Sequence, residues 1–376
     1  MDPVHNRTYD FQSFEQALDS DDSENNDVQF EFSVEGKYLP ENNTFSYVKP
    51  DDLVTFAGSM SKRFNGAAKV VSIVETMFYY KRENNTNYES EIYCALVTPL
   101  LDNNAKDNEV RKELFKEELA LLSQLQGNDF IISLFASSLE SSEPFMLQEA
   151  ADRDLYDFLT ERALDDSMAF SLITQIKNIL NYLTSKDLVW LDAKPENFVV
   201  FYEGLKLKAI DIGFSANPKD PKTKKSFSLE WISVDYFLKC LSEHTNFERL
   251  NEWIKKQAIN FSLSNEGVHH YSYFAMTHDI LETYASRKDE SRTYSSIKWS
   301  EYPNRVLKSE KDLDKIQTVT KIFLRMDNYK PTDLKYFKGT SLEEIASHMK
   351  DLCQWRPEKR IEMGEKYGLG KINKDH

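Results

Sequence analysis

Alternation of apolar and polar side chains marks the first part of the chain. Val28-Gln29-Phe30-Glu31-Phe32 and Val70-Val71-Ser72-Ile73-Val74 have the two-residue rhythm of strands, and Met77 to Tyr80 and Ile92 to Val97 are apolar runs of strand length. The polar stretch Glu83 to Asn87 reads as a turn. A helix is expected from about Asn108 to Gln126, where Leu114, Phe115, Leu119, Leu121, Leu122 and Leu125 recur mostly at three and four. Two short strands follow, Phe130 to Phe135 and Pro144 to Gln148. The rhythm then turns helical, over Leu155 to Arg162 and Phe170 to Thr184. It is interrupted by strand-like Phe198 to Phe201 and Leu205 to Ile210 around Gly204. Ser233 to Leu241 reads as a buried helix, residues from about 250 to 340 as helix-rich, and Leu342 to Leu352 as a last amphipathic helix. The order predicts an α+β fold of two parts, over 28–149 and 150–376: a small β-rich part with one long helix, then a larger helical part with a helical insert at about 250–340.

Composition narrows the class. The 376 residues carry a net charge of −15, a poor footing for non-specific nucleic-acid binding, which draws on Lys and Arg to displace counterions. The three cysteines, Cys94, Cys240 and Cys353, fit no zinc spacing and no disulfide framework, so a reducing cytoplasm is expected. No apolar run has the ~18 residues of a membrane helix, and Met1 to His5 has no basic-then-apolar leader. Residues 1–27, with Asp19, Asp21, Asp22, Glu24 and Asp27, read as a disordered acidic tail.

The chemistry is concentrated between Leu188 and Phe214. Trp190-Leu191-Asp192-Ala193-Lys194-Pro195-Glu196-Asn197 is followed, nineteen positions after Asp192 (211 − 192), by Asp211-Ile212-Gly213 at the end of an apolar strand. This pair of strings resembles the catalytic loop H-R-D-L-K-P-E-N and the metal-binding D-F-G of eukaryotic-type protein kinases. The resemblance implies a bilobal kinase fold, ATP and Mg²⁺ (or Mn²⁺) as cofactors, and a role for each residue. Asp192 would accept or orient the proton of the attacking hydroxyl and Lys194 would neutralise the moving phosphoryl group. Asn197 and Asp211 would hold metal ions. His and Arg of H-R-D are here Trp190 and Leu191. The His normally braces the metal-binding turn, and without the Arg no guanidinium is left for an activation-loop phosphate.

Weaker resemblance extends from about Phe56 to Ile361. Glu118 to Leu122 looks like the family's αC helix, which makes Glu118 the candidate ion-pair glutamate, with Glu113 and Glu117 as rivals. Phe145 to Ala151 resembles the hinge, so backbone groups of Glu149 and Ala151 would meet the adenine edge and Ala95 would roof it. Asp235 matches the αF aspartate that braces the catalytic loop. Arg360 in Arg356 to Ile361 would be structural, and in place of the family's A-P-E the segment before Asp235 offers only Glu230 as an acid to meet it.

Where the family's V-A-I-K supplies a phosphate lysine, this chain has Cys94-Ala95-Leu96-Val97, and an aliphatic Val97 cannot ligate phosphate. The glycine-poor stretch Gly58 to Ala68 also departs from the family's phosphate loop. Lys69 stands just before Val70-Val71, where kinases of the with-no-lysine type carry their lysine, and alternation puts it on the face of Val71. Lys62 and Lys81 are the alternatives.

Asp211 and Asp235 are 24 residues apart (235 − 211), which reads as a short activation segment. Lys219, Lys222, Lys224 and Lys225 within it form either a solvated charge run or a site for an anionic or polyphosphate regulator. The resulting expectation is an atypical serine/threonine protein kinase with a relocated lysine. The alternatives are a pseudokinase scaffold and a small-molecule kinase. The stripped pattern also fits an effector kinase that a pathogen delivers into host cytoplasm.

Overall fold

A computed structural model describes residues 29–370, apart from 36–37, 42–43, 48–52, 66–68, 82–86, 102–104, 139–143, 217–230, 245–247, 260, 262–263 and 290–311. The acidic tail and the Lys219 to Lys225 run lie outside the described residues. The chain divides into two units, Met1–Ala150 and Ala151–His376.

The first unit opens with β1 (Gln29–Glu35), a small hairpin of β2 (Tyr38–Glu41) and β3 (Thr44–Tyr47), then three long strands, β4 (Leu53–Asn65), β5 (Lys69–Lys81) and β6 (Asn87–Pro99). Helix α1 (Ala105–Gln124), β7 (Leu134–Ser138) and β8 (Phe145–Glu149) complete it. Six strands form one sheet in the order β1-β4-β5-β6-β8-β7. Two short strand segments expected at 70–74 and 77–80 are one strand, because every residue of β5 pairs with β6. The stretch expected as a phosphate loop from Gly58 is strand as far as Asn65. β4 pairs with β5 through it, and the register shift between Met60 and Lys62 absorbs the irregular sequence.

The long helix buries Phe115, Leu119 and Leu122, the spacing of one helical face, and Leu125 just past its end is buried as well. Glu118 is buried on that same side (5 % exposed), whereas Glu113 and Glu117 are exposed. An acid on an apolar stripe demands a partner.

The second unit begins with β9 (Arg153–Asp154), α2 (Leu155–Glu161), α3 (Asp166–Ser185) and β10 (Val189–Trp190). Asp154 and Asp165 cap the two helices, each accepting a backbone N–H three residues on, both at 2.8 Å. Helix α3 turns Leu172, Ile173, Ile176, Ile179, Leu180 and Leu183 inward. Next come β11 (Phe198–Phe201), β12 (Lys206–Ala209) and β13 (Ser215–Ala216). β12, β11 and β9 make one small sheet, and β10 pairs with β13. The remaining helices are α4 (Val234–His244), α5 (Glu248–Lys256), α6 (Ser264–Lys288), α7 (Asp312–Asp327), α8 (Glu343–Leu352) and α9 (Pro357–Lys366).

Helix α6 is the core element of this unit, buried on every side from Val268 to Ala285. Helix α9 lies so close to it that a methyl group at Gly364 would collide with the His270 ring. Among the described residues no helix is long and apolar enough to cross a membrane.

Candidate active site

In the first unit the buried carboxylate of Glu118 meets Lys69. The ammonium Nζ donates to both carboxylate oxygens, at 2.7 and 2.6 Å. Register explains how β5 delivers it. Lys69 lies opposite Pro99, Val71 opposite Val97 and Ile73 opposite Ala95. Directly paired residues share a face, so Lys69, Val71, Ala95 and Val97 stand on one side of the sheet. Val97 is 5 % exposed in the apolar core. The side chains of Lys62 and Lys81 lie outside the described residues. Glu149 ends β8, where it exchanges contacts with Ser133. Its N–H donates to the Ser133 carbonyl at 3.0 Å, and its side chain accepts the Ser133 N–H at 2.7 Å. Ala151 begins the second unit.

In the second unit the two strings are held by backbone pairing on either side. Trp190 pairs with Ser215 across β10 and β13. The Ile210 N–H donates to the Asn197 carbonyl at 2.9 Å. Around the loop, Asn197 Nδ2 donates to the Asp192 carbonyl at 2.8 Å and to Asp192 Oδ2 at 3.0 Å. Lys194 Nζ stands 3.0 Å from the same Oδ2. Asp192 and Asn197 are each 5 % exposed. With both Asn197 donors directed at Asp192, its amide oxygen is the atom left to face a cation.

Asp211 sits in the left-handed backbone region, φ 54° and ψ 47°, at the mouth of a short turn, Ile212–Phe214. That conformation costs a non-glycine residue about 1–2 kcal/mol, and Asp is among the few that tolerate it. Strained backbone of this kind persists only where neighbours over-determine it. One such neighbour is Trp190, whose indole N–H donates to the Asp211 carbonyl at 3.2 Å. The ring is fully buried and lies against Phe198, centroids 5.1 Å apart. The bracing expected of a histidine in H-R-D is met here by an indole. Leu191, in the arginine position, is buried (1 % exposed).

The expectation for Asp235 is overturned. Its carboxylate does not reach the catalytic loop. It accepts from Arg360 Nη2 at 2.6 Å, with both side chains wholly buried. Arg360 also donates through Nε to the Gly267 carbonyl at 2.9 Å and through Nη1 to the Gln354 carbonyl at 2.7 Å. Asp235 is thus the acid that meets Arg360, the role looked for in Glu230. The group that takes the backbone N–H of Trp190 is His269 of α6, through Nε2 at 2.7 Å. The 24-residue span therefore ends at the partner of Arg360, and the bracing residue lies 58 positions after Asp211 (269 − 211). The inference of a shortened activation segment falls with the assignment it rested on.

His269 escaped the sequence reading because a histidine on a helix buried all round has no apolar stripe to be read against. Its pKa is pushed down to about 3 by burial and by neighbouring His270, so the ring is neutral. Since Nε2 accepts from Trp190, the proton is on Nδ1. That atom lies 2.9 Å from Thr184 Oγ1, and the Thr184 hydroxyl in turn donates to the Leu180 carbonyl at 2.8 Å.

Comparison with known proteins agrees with this geometry. A family model described as "Protein kinase domain" matches residues 97–237. Serine/threonine-protein kinase SBK1 of Danio rerio is 28 % identical over 146 residues, 38 % of this chain and 37 % of that one. The liver/testis gamma catalytic chain of phosphorylase b kinase of Rattus norvegicus is 31 % identical over 138 residues, 36 % and 34 % of the two chains. Death-associated protein kinase 2 of Homo sapiens is 27 % identical over 143 residues, 37 % and 38 %. The chain spans a little over a third of the length of these relatives, and the family-model match begins at Val97, so Lys69 lies before that match. With the two signature strings inside the matched stretch, residues 97–237 of this chain are similar to a protein kinase domain.

Proposed function

We propose that this protein is an ATP- and Mg²⁺-dependent kinase acting on serine or threonine hydroxyls, with Lys69 in place of the lysine that Val97 cannot supply. The observation that carries the proposal is the Lys69–Glu118 ion pair. A phosphate-binding lysine needs a positioned carboxylate partner, and that pair fixes the helix bearing the glutamate.

The donor set of the second unit fits a hard cation: the Asp211 carboxylate and the Asn197 amide oxygen are the ligand types that Mg²⁺ takes. Mg²⁺ held by these two residues would supply positive charge to offset that of the nucleotide phosphates. This chain's own groups supply the rest. Backbone groups at Glu149 and Ala151 would meet the adenine edge, with the Glu149 N–H itself already given to the Ser133 carbonyl, and Ala95 would offer a small apolar surface. Lys69 binds phosphate oxygens. Asp192 orients the substrate hydroxyl and takes its proton as the oxygen attacks the γ-phosphorus. The bond from that phosphorus to the bridging oxygen breaks, and ADP leaves with the electron pair. Lys194, 3.0 Å from Asp192, offsets charge on the moving phosphoryl group.

Val97 favours a second reading, a pseudokinase that keeps the fold for binding. The decisive experiment incubates the purified protein with labelled ATP and Mg²⁺ or Mn²⁺, with and without cell extract, beside an Asp211→Ala control. Transfer by the parent and none by the variant is expected. Equal labelling by both would sink the metal assignment. A parent that neither transfers phosphate nor shifts its melting temperature with Mg²⁺–ATP would establish the pseudokinase.

A further inference from the structure

Two donors of one residue, Trp190, point at two different parts of the second unit. Its backbone N–H is accepted by His269 Nε2 at 2.7 Å, and its indole N–H by the Asp211 carbonyl at 3.2 Å. From these contacts we infer that His269 is a positioning residue: it sets the metal-binding turn through Trp190, coupling α6 to the backbone that carries the Asp211 carboxylate. The inference rests on the kinase reading above.

The contacts form one directional chain. Leu180 and Thr184 on α3 fix the tautomer of His269, since the Thr184 hydroxyl donates its hydrogen to Leu180 and leaves its lone pairs for Nδ1–H. The acceptor offered to Trp190 is therefore a neutral nitrogen in a defined orientation. Trp190 can tilt little, because its ring is wholly buried and packed on Phe198, which opens the strand immediately after Asn197. The indole N–H then holds the carbonyl of a residue in a strained left-handed conformation. An unsupported Asp211 would relax, and its carboxylate would turn with the backbone. Asn197 and the Ile210 N–H join the same frame at 2.9 Å, so both proposed metal ligands are referred to one set of buried contacts.

A neutral imidazole differs here from a carboxylate. It accepts one hydrogen bond from the loop and passes its other ring nitrogen to α3, so the brace depends on a second helix. Conservative rescue separates this role from bulk packing. Glutamine can place its amide oxygen close to where Nε2 lies, whereas leucine fills space without accepting.

The test compares the parent chain with His269→Leu, His269→Gln and Trp190→Phe. Two readouts are taken: kcat against KM for ATP, and hydrogen exchange of the backbone amides from 190 to 193 and from 211 to 214. His269→Leu and Trp190→Phe should each lower kcat about tenfold, in line with the loss of one positioning hydrogen bond, with KM within about threefold. Both should accelerate exchange at 211–214 about tenfold while leaving α8 unchanged. His269→Gln should recover most of both effects. The Trp190 indole resonance, identified by its loss in Trp190→Phe, should move in His269→Leu and return in His269→Gln. If His269→Leu leaves exchange at 211–214 and the indole resonance as in the parent, or if glutamine rescues nothing, the inference is overturned. If the parent transfers no phosphate, the kinase reading fails separately. The exchange and resonance readouts still decide whether His269 sets the Asp211 turn.

Discussion

Lys69 Nζ lies 2.7 and 2.6 Å from the two carboxylate oxygens of Glu118, a contact that ties the first residue of β5 to the buried face of α1. Removing either partner takes the opposite charge of this contact away from a mostly buried group.

The first prediction follows from the kinase role proposed for that pair. Lys69→Ala should lower kcat/KM by ~10²-fold or more, the usual scale for losing a charge that stabilises the transition state. Lys62→Ala and Lys81→Ala should remain near the parent. Steady-state kinetics on the three variants checks this, and full activity in Lys69→Ala would end the relocated-lysine proposal.

The two aspartates should fail differently. Asp192→Ala removes the group proposed to take the hydroxyl proton, so turnover should fall ~10²–10⁴-fold while Mg²⁺–ATP still binds. Asp211→Ala removes a proposed metal ligand, so the metal-dependent part of nucleotide binding should go with the activity. Calorimetric titration of nucleotide with and without Mg²⁺ distinguishes them. Identical binding losses in both variants would point to a structural Asp192.

Histidine 269 predicts an acid dependence of stability. Its folded pKa, about 3, lies below the ~6.5 of an unfolded histidine. Between those values only the unfolded chain takes up the proton. The contribution is therefore complete above pH ~6.5 and is lost as pH falls toward 3, with a slope of up to ~1.4 kcal/mol per pH unit. Denaturant unfolding of the parent and His269→Gln at pH 7 and pH 5 should show the parent losing more. Parallel losses would mean that the ring is protonated in the folded protein.

What the sequence disclosed depends on how far each signal is local. The apolar periodicity of α3 and the pairing of Asp192-x-Lys194 with Asn197 are local, and short-range chemistry places them. The α+β order, with one long helix among the first strands, was legible for the same reason. Lys69 was reachable because strand alternation carries a residue's face over a short distance. Asp235 and His269 were not. Which acid meets Arg360 is decided by contacts 125 positions apart in sequence, and both candidates stand near apolar helical patterns. Helix α6 gave no amphipathic signal because every face of it is buried. Trp190 looked like a lost histidine, since a motif records identity and not the hydrogen-bond donor that another ring can present.

The last prediction concerns the buried pair that replaced the sequence assignment. Arg360 and Asp235 are both wholly buried, and the guanidinium meets one carboxylate and two backbone carbonyls. Asp235→Leu leaves the guanidinium charge uncompensated, and Arg360→Leu leaves the carboxylate so. Each should cost ~3–5 kcal/mol, the usual result of breaking a buried pair by one partner. The double variant removes both charges, and in many proteins that exchange is nearly neutral. Here it should not be. The carbonyls of Gly267 and Gln354 would each lose a donor, at ~1–3 kcal/mol apiece, and leucine cannot fill the volume of the guanidinium beside Gly267. The double variant should therefore be less stable than the parent, yet more stable than the sum of the single losses implies. A double-mutant cycle by urea denaturation measures this directly. Single variants within 1 kcal/mol of the parent, or strictly additive losses, would show that the two side chains do not hold each other in the folded protein.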